Sequence, residues 1–158
     1  MDQPTLAVNP PFFIGPLAPG FRVPLGDRKA LSTDEFIYNL LFADNKVETP
    51  ALGFVDVRDV AIGLVKGQKT KGQHRIIFGG QWFTYEEAID YIASIHPELK
   101  HRLATATPND HKNSRLDISK ATVILDLTPR PWKESVRDAV EDLLKLENSW
   151  ISQGVQVG

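Results

Sequence analysis

The densest grouping of chemical side chains in this sequence is Asp56-Val57-Arg58-Asp59, two carboxylates and a guanidinium within four residues. Carboxylates so close could share acid–base work. Asp56, however, stands directly before an apolar periodic run, where an acid satisfies the orphan N–H groups of a helix start and complements its dipole. A structural role is therefore expected for Asp56, Arg58 and Asp59, with Arg58 paired to a nearby carboxylate to fix the fold. His96, His101 and His111, with Asp110, could be imagined around a metal. Their separations match no helical ligand pair such as i, i+4, so no metal site is expected. His74 stands alone. The absence of cysteine removes disulfides, thiolate ligands and a cysteine nucleophile together. The remaining Ser, His and Asp residues are too scattered to nominate a nucleophilic triad. Gly79-Gly80 and the glycines between Gly15 and Gly26 lack the spacing of a phosphate cradle and read as turn glycines.

The rest of the composition narrows the class. A chain of 158 residues, 42% apolar and 24% charged, is long enough for a real core and is read as one domain over 1–158. A net charge of -2 gives no reason to expect nucleic acid or an anionic membrane as partner, because phosphate binding needs clustered excess Lys and Arg. No apolar run reaches the roughly 20 residues of a membrane span, and Met1 to Pro4 carry no signal-peptide pattern. A reducing, cytoplasmic setting fits the missing cysteines.

Few strands are visible among the elements that would position these residues. Leu6-Ala7-Val8 reads as a buried strand stopped by Asn9-Pro10-Pro11, and 12–28 as a loop punctuated by glycine and proline. Ser32 and Glu35 have capping-box spacing before a helix over about 33–42. Asp56 caps a helix with Val57, Val60, Ala61, Leu64 and Val65 on one side, ending near Gly67. A second strand is expected at 75–78. Thr84 and Glu87 open a helix with Ala88, Ile89, Ile92 and Ala93 inward, ended by Pro97. The stretch 99–114 reads as an irregular loop, and 119–125 as a short helix. Pro131 suits the first turn of a last helix, whose apolar stripe is Trp132, Val136, Ala139, Val140, Leu143 and Leu144.

Three ordered segments resemble the C-terminal part of the extended short-chain dehydrogenases/reductases, in the dihydroflavonol-reductase-like and fungal ketoreductase or aldehyde reductase branch of the NAD-dependent epimerase/dehydratase superfamily. They are Asn9-Pro10-Pro11-Phe12-Phe13-Ile14-Gly15-Pro16, Phe54-Val55-Asp56-Val57-Arg58-Asp59-Val60-Ala61, and Asp117-Ile118-Ser119-Lys120-Ala121 preceding Arg130-Pro131-Trp132-Lys133-Glu134-Ser135-Val136. Two positions depart from the pattern: Leu64 stands where relatives often carry His, and Asp126 where a Leu-Gly pair is common.

The resemblance implies an α/β fold, an incomplete NAD(P)-binding Rossmann-type fold that is mainly the C-terminal helical substrate-binding part with about two short parallel strands. It implies that the complete enzyme moves a hydride from NADPH to a small-molecule aldehyde or ketone. Asn9, Pro10 and Pro11 would lie by the nicotinamide, with Phe12 and Phe13 lining the substrate pocket. The family's Gly-rich cofactor loop is absent here, and so is its Ser with Tyr-x-x-x-Lys, in which the Lys cation lowers the Tyr pKa for proton transfer. Tyr38, Tyr85 and Tyr91 are followed four residues on by Phe42, Ile89 and Ile95. The missing parts would lie upstream of Asn9, with Met1 to Pro4 a new start. Alone, the chain is expected to bind no NADP(H) and to reduce nothing. Its first strand, without neighbours, would favour self-association, an N-terminal reductase-like partner, or marginal stability. The alternative is a repurposed module that binds a small molecule or a partner.

Overall fold

Two prolines after Asn9 end strand β1 (Thr5–Asn9), because proline cannot donate to a ladder. The chain then enters a second ladder at once, as β2 (Phe12–Ile14). This is seen in the computed structural model, which describes residues 5–51, 53–107 and 116–157. β3 (Lys46–Glu48), β4 (Phe54–Asp56), β5 (Gln73–Ile77) and β6 (Thr105–Thr107) complete the strands. They form three separate parallel pairs: β1 with β5, β2 with β4, and β3 with β6. Val8 lies opposite Ile76, and Ile14 opposite Asp56. Two strands were expected, at 6–8 and 75–78, and both are present. The other four are only three residues long, too short for a period to show in sequence.

Among the described residues five helices pack on these ladders: α1 (Asp34–Tyr38), α2 (Val57–Gly67), α3 (Tyr85–Ile95), α4 (Ser119–Leu125) and α5 (Trp132–Ser152). α3 begins with the expected reciprocal capping box between Thr84 and Glu87. α5 buries Val136, Ala139, Val140 and Leu143 along one stripe. Its Pro131 is the residue before the helix rather than part of its first turn.

The capping box at Ser32 and Glu35 does not form. Ser32 has φ 54 and ends a 3-10 turn (Arg28–Leu31), while the Thr33 hydroxyl donates to the Phe13 carbonyl instead of capping α1. α1 is correspondingly short and passes into a 3-10 turn (Asn39–Leu41). The expected loop over 99–114 is also partly ordered, with a 3-10 segment (Pro97–Arg102) and β6 before 108–115, which lie outside the described residues.

The largest correction concerns α2. Val57 and Val60 are half-buried, but Ala61, Leu64 and Val65 of the expected inward stripe are exposed. The face turned to the ladder is Asp59, Gly63 and Gly67. A Cβ at Gly63 would sit 2.3 Å from Phe78 Cζ, and one at Gly67 1.9 Å from Leu6 Cδ2. Glycine allows the strand side chains to reach the helix backbone, and this outcompetes the apolar stripe. Among the described residues no helix is long and apolar enough to cross a membrane.

The interior divides into two clusters. The larger joins α1, α3 and α5 with Ile14, Phe54 and Phe83. Its rings form a continuous run, Phe12 to Phe36 at 5.1 Å, Phe36 to Phe54 at 6.3 Å, Phe54 to Phe83 at 5.3 Å and Phe83 to Trp132 at 4.7 Å. The smaller gathers Ile76 and Phe78 with Ala121, Leu125 and Leu127, under β1, β5, α2 and α4.

Candidate functional site

Asn9 is the last residue of β1, and its carbonyl accepts from Phe78 N at 3.2 Å. Its side-chain Nδ2 is buried with no hydrogen-bond partner, an open donor at the strand's C-terminal end. Pro10 and Pro11 carry the chain from β1 to β2, and the alternation along β2 then separates the two phenylalanines. Phe12 turns to Phe36 and Phe54 in the larger core. Phe13 stays 39% exposed and lines a cavity of about 230 Å³. The five candidate residues are thus contiguous, but only Phe13 of the two aromatics reaches that cavity.

The cavity opens to solvent and is lined by β2, the segment 16–21, the 28–31 turn and the start of α1, with Leu17, Phe21, Leu31 and Val57 supplying apolar wall. Asp34 is its one ionisable group. Asp34 Oδ1 accepts from Gly15 N at 3.1 Å, an arrangement that ties α1 to the end of β2. Burial pushes its carboxyl up to about 7; the Gly15 hydrogen bond opposes this and the charges of Asp56 and Asp142 add to it. Sequence reasoning missed Asp34. An acid in a helix's first turn looks ordinary, and its half-buried place beside Gly15 on the cavity wall is set by tertiary packing.

The acidic motif is structural, as expected. Asp56 caps α2 by accepting from Arg58 N at 2.8 Å, and it also accepts from Arg58 Nη2 and Ser135 Oγ at 2.7 Å each. Burial alone would raise Asp56, but these bonds outweigh it and hold the carboxyl below its ordinary range. Arg58 Nη1 reaches Asp138 Oδ2 at 2.6 Å. Asp59 accepts from Arg130 N at 2.7 Å, yet burial leaves its pKa raised. The node therefore clamps the start of α2 to the start of α5. The void beside it amounts to about 10 Å³, room for a water at most.

The remaining candidates stay apart. His96 Nδ1 lies 3.0 Å from Glu98 Oε1, His74 Nε2 bonds the Lys71 carbonyl, and His101 is exposed. Asp110 and His111 fall outside the described residues. Among the described residues no group of three His, Cys, Asp or Glu is placed to hold a metal. Tyr38 and Tyr85 are buried with unpartnered hydroxyls, and burial raises both phenols, Tyr38 to about 12. Lys133 does approach Tyr91, but over its ring face at 5.4 Å from the centroid. That geometry is a cation–π contact rather than a lysine acting on a phenol.

Comparison with known proteins places this arrangement. No protein-family model matches the chain. An uncharacterised oxidoreductase of Schizosaccharomyces pombe is 31% identical over 147 residues, 89% of this chain and 42% of that protein. The yeast methylglyoxal/isovaleraldehyde reductase Gre2, solved with NADPH, is 26% identical with a TM-score of 0.67 over 90% of this chain and 47% of its own. Gre2 of Candida albicans, also solved with NADPH, has a TM-score of 0.71 at 23% identity. The fold extends to the UDP-glucose 4-epimerase of Thermotoga maritima, at 17% identity and a TM-score of 0.58. The chain spans less than half the length of these relatives. Taken with the ordered motifs and the parallel pairs, sequence and fold liken this chain to the extended short-chain dehydrogenases/reductases of the epimerase/dehydratase superfamily, and its partial span of those relatives is consistent with their C-terminal part.

Proposed function

We propose that this chain is the substrate-side portion of an NAD(P)H-dependent carbonyl reductase acting on aldehydes or ketones, inactive in redox chemistry by itself. The sequence supports the second half of this reading, because it holds neither a Gly-rich cofactor loop nor a Tyr-x-x-x-Lys pair. The observation that carries the first half is the β1–Pro10–Pro11–β2 corner. It presents an open Asn9 amide donor and an exposed Phe13 within five residues. Asn9, Pro10 and Pro11 would meet the nicotinamide end of the cofactor, and the buried Asn9 donor fits an amide or phosphate acceptor there. When bound, NADPH would supply the hydride. Phe13 would hold the substrate's apolar end, and Phe12 would brace the corner from the core side.

An N-terminal reductase-like half, or a second copy of this chain, would cover what lies open. Among the described residues β1 is paired on one edge only, and α2 shows Ile62, Leu64 and Val65 to solvent. Parallel ladders in relatives of this class are covered on both faces. A reducing, cytoplasmic setting is part of the same reading. The alternative, a non-catalytic small-molecule-binding or partner-binding module, draws on the 230 Å³ cavity beside Phe13 and Asp34.

The test is complementation. The purified chain should give no NADPH-dependent reduction of isovaleraldehyde and no NADPH binding up to about millimolar, where contacts worth roughly 4 kcal/mol begin to register. Mixed with the N-terminal half of a Gre2-type reductase it should restore turnover. Turnover by the chain alone, or none in the mixture despite a stable complex, would sink the proposal.

A further inference from the structure

Asp34 is an acid in a mostly apolar cavity with no cation to neutralise it. From the start of α2 the nearest charge is Asp56, already held by Arg58 and Ser135. From α5 it is Asp142, which accepts from Leu17 N at 3.1 Å and from Lys145 Nζ at 2.8 Å. From the 28–31 turn, Arg28 points away, to Asn39 Oδ1 and over the Tyr38 and Phe42 rings. No Lys or Arg pairs with Asp34 among the described residues, and its one identified donor is Gly15 N–H. A lone carboxyl flanked by two further carboxylates makes the local potential negative, while Phe13, Leu17, Phe21 and Leu31 make the walls apolar.

We infer that this cavity binds a small apolar molecule through a hydrogen-bond-donating head, an amine above all, seated on Asp34, and that it rejects carboxylates. An ammonium or hydroxyl gives the Asp34 carboxylate a second donor beside Gly15 N–H, and the alkyl body replaces solvent against the rings. A carboxylate brings a second negative charge into a cavity whose one ionisable group is already an acid. The ordinary acid range would keep Asp34 charged throughout neutral conditions. Its elevation to about 7 places the change in selectivity within reach of mild acidification. If the cavity is the substrate's end, which rests on the function proposed above, the complete enzyme prefers carbonyl compounds with a neutral or cationic tail.

Isotope-edited NMR and calorimetry on the purified chain test this with three probes of equal length, hexylamine, hexanol and hexanoate. At about pH 8, hexylamine should bind at least about tenfold tighter than hexanoate, with shifts at the amides of Gly15, Leu31 and Thr33. At about pH 5.5 the gap should narrow, because Asp34 takes up a proton while the probes keep their charges. Asp34→Asn should abolish the preference of amine over carboxylate at both pH values. The pH series on the unaltered chain decides the matter even if that variant fails to fold. Equal affinity of amine and carboxylate at pH 8, shifts elsewhere, or no binding of any probe overturns the inference. Failure here leaves complementation with the N-terminal half free to succeed. Success here with no reductase activity in the complemented pair leaves the binding site standing without the enzyme.

Discussion

The two core clusters solve the same problem to different degrees. Around α1, α3 and α5, Ile37, Leu40, Leu41, Ala88, Ile92, Val136, Ala139 and Val140 are all fully buried, sealed by rings from β2, β4, α1, α3 and α5. Around β1, β5, α2 and α4 a thinner set is buried, and the outside of the same elements is apolar: Ile62, Leu64, Val65 and Val123, the last 82% exposed. Two-stranded parallel ladders rarely stand uncovered. The first region is sealed by its own side chains, whereas the second leaves apolar side chains exposed on its outer face. The clamp of Asp56, Arg58 and Arg130 at the head of α2 is what joins them.

The strongest way to break this contrast is to hollow the sealed region. Leu143→Ala should cost about 3–5 kcal/mol in denaturant unfolding, with loss of cooperativity throughout the chain. A cost below about 1 kcal/mol would mean that the larger cluster is not the main support. Cutting the clamp comes next. Arg58→Ala strands the buried Asp56 carboxylate and should cost about 3 kcal/mol at neutral pH. The loss should shrink in acid, since Asp56's depressed folded pKa contributes stability that is present above its unfolded value and lost as pH falls. An unchanged acid limb would show that the clamp is incidental.

Within the thin region, Gly63→Ala and Gly67→Ala separate packing from propensity. Gly63 faces the buried Phe78 ring, which has nowhere to go, so the substitution should cost about 2 kcal/mol. Gly67 meets the end of the Leu6 side chain, which can rotate aside, so the cost there should be under about 1 kcal/mol. Equal effects would contradict the tight seat of α2.

Asp34 gives a pH signature of opposite sign to Asp56. A carboxyl whose folded pKa is raised from 3.8 to about 7 contributes stability below the unfolded value and loses it as pH climbs from about 4 through 7. Asp34→Asn should therefore flatten the decline over that window and gain of order 1–2 kcal/mol at pH 8. A decline unchanged by the substitution would place its origin elsewhere, Asp59 being the next group with a raised pKa. The smallest effect belongs to the surface. Val65→Lys should change unfolding by no more than about 0.5 kcal/mol yet weaken self-association measured by light scattering. A monodisperse monomer before any substitution, with a cooperative transition above about 60 °C, would remove the case for a missing cover.

What the sequence determined by itself is local. The Asp56 cap, the Thr84–Glu87 box, the α5 stripe and the proline stop after Asn9 depend on neighbours within a few residues, and each is legible because its physics is short-ranged. The ordered motifs also carried the family, since they preserve which elements follow which. The tertiary structure decided the rest. Ser32 failed as a cap because the Thr33 hydroxyl found the Phe13 carbonyl 20 residues away. The side α2 buries was settled by Leu6 and Phe78 reaching its glycines, against the helix's own apolar stripe. Asp34 became a candidate site residue only when β2, segment 16–21 and the 28–31 turn came together around one cavity. In all three, partners distant in sequence supplied contact or desolvation that outweighs a local preference worth about 1 kcal/mol, and no pattern along the chain records that.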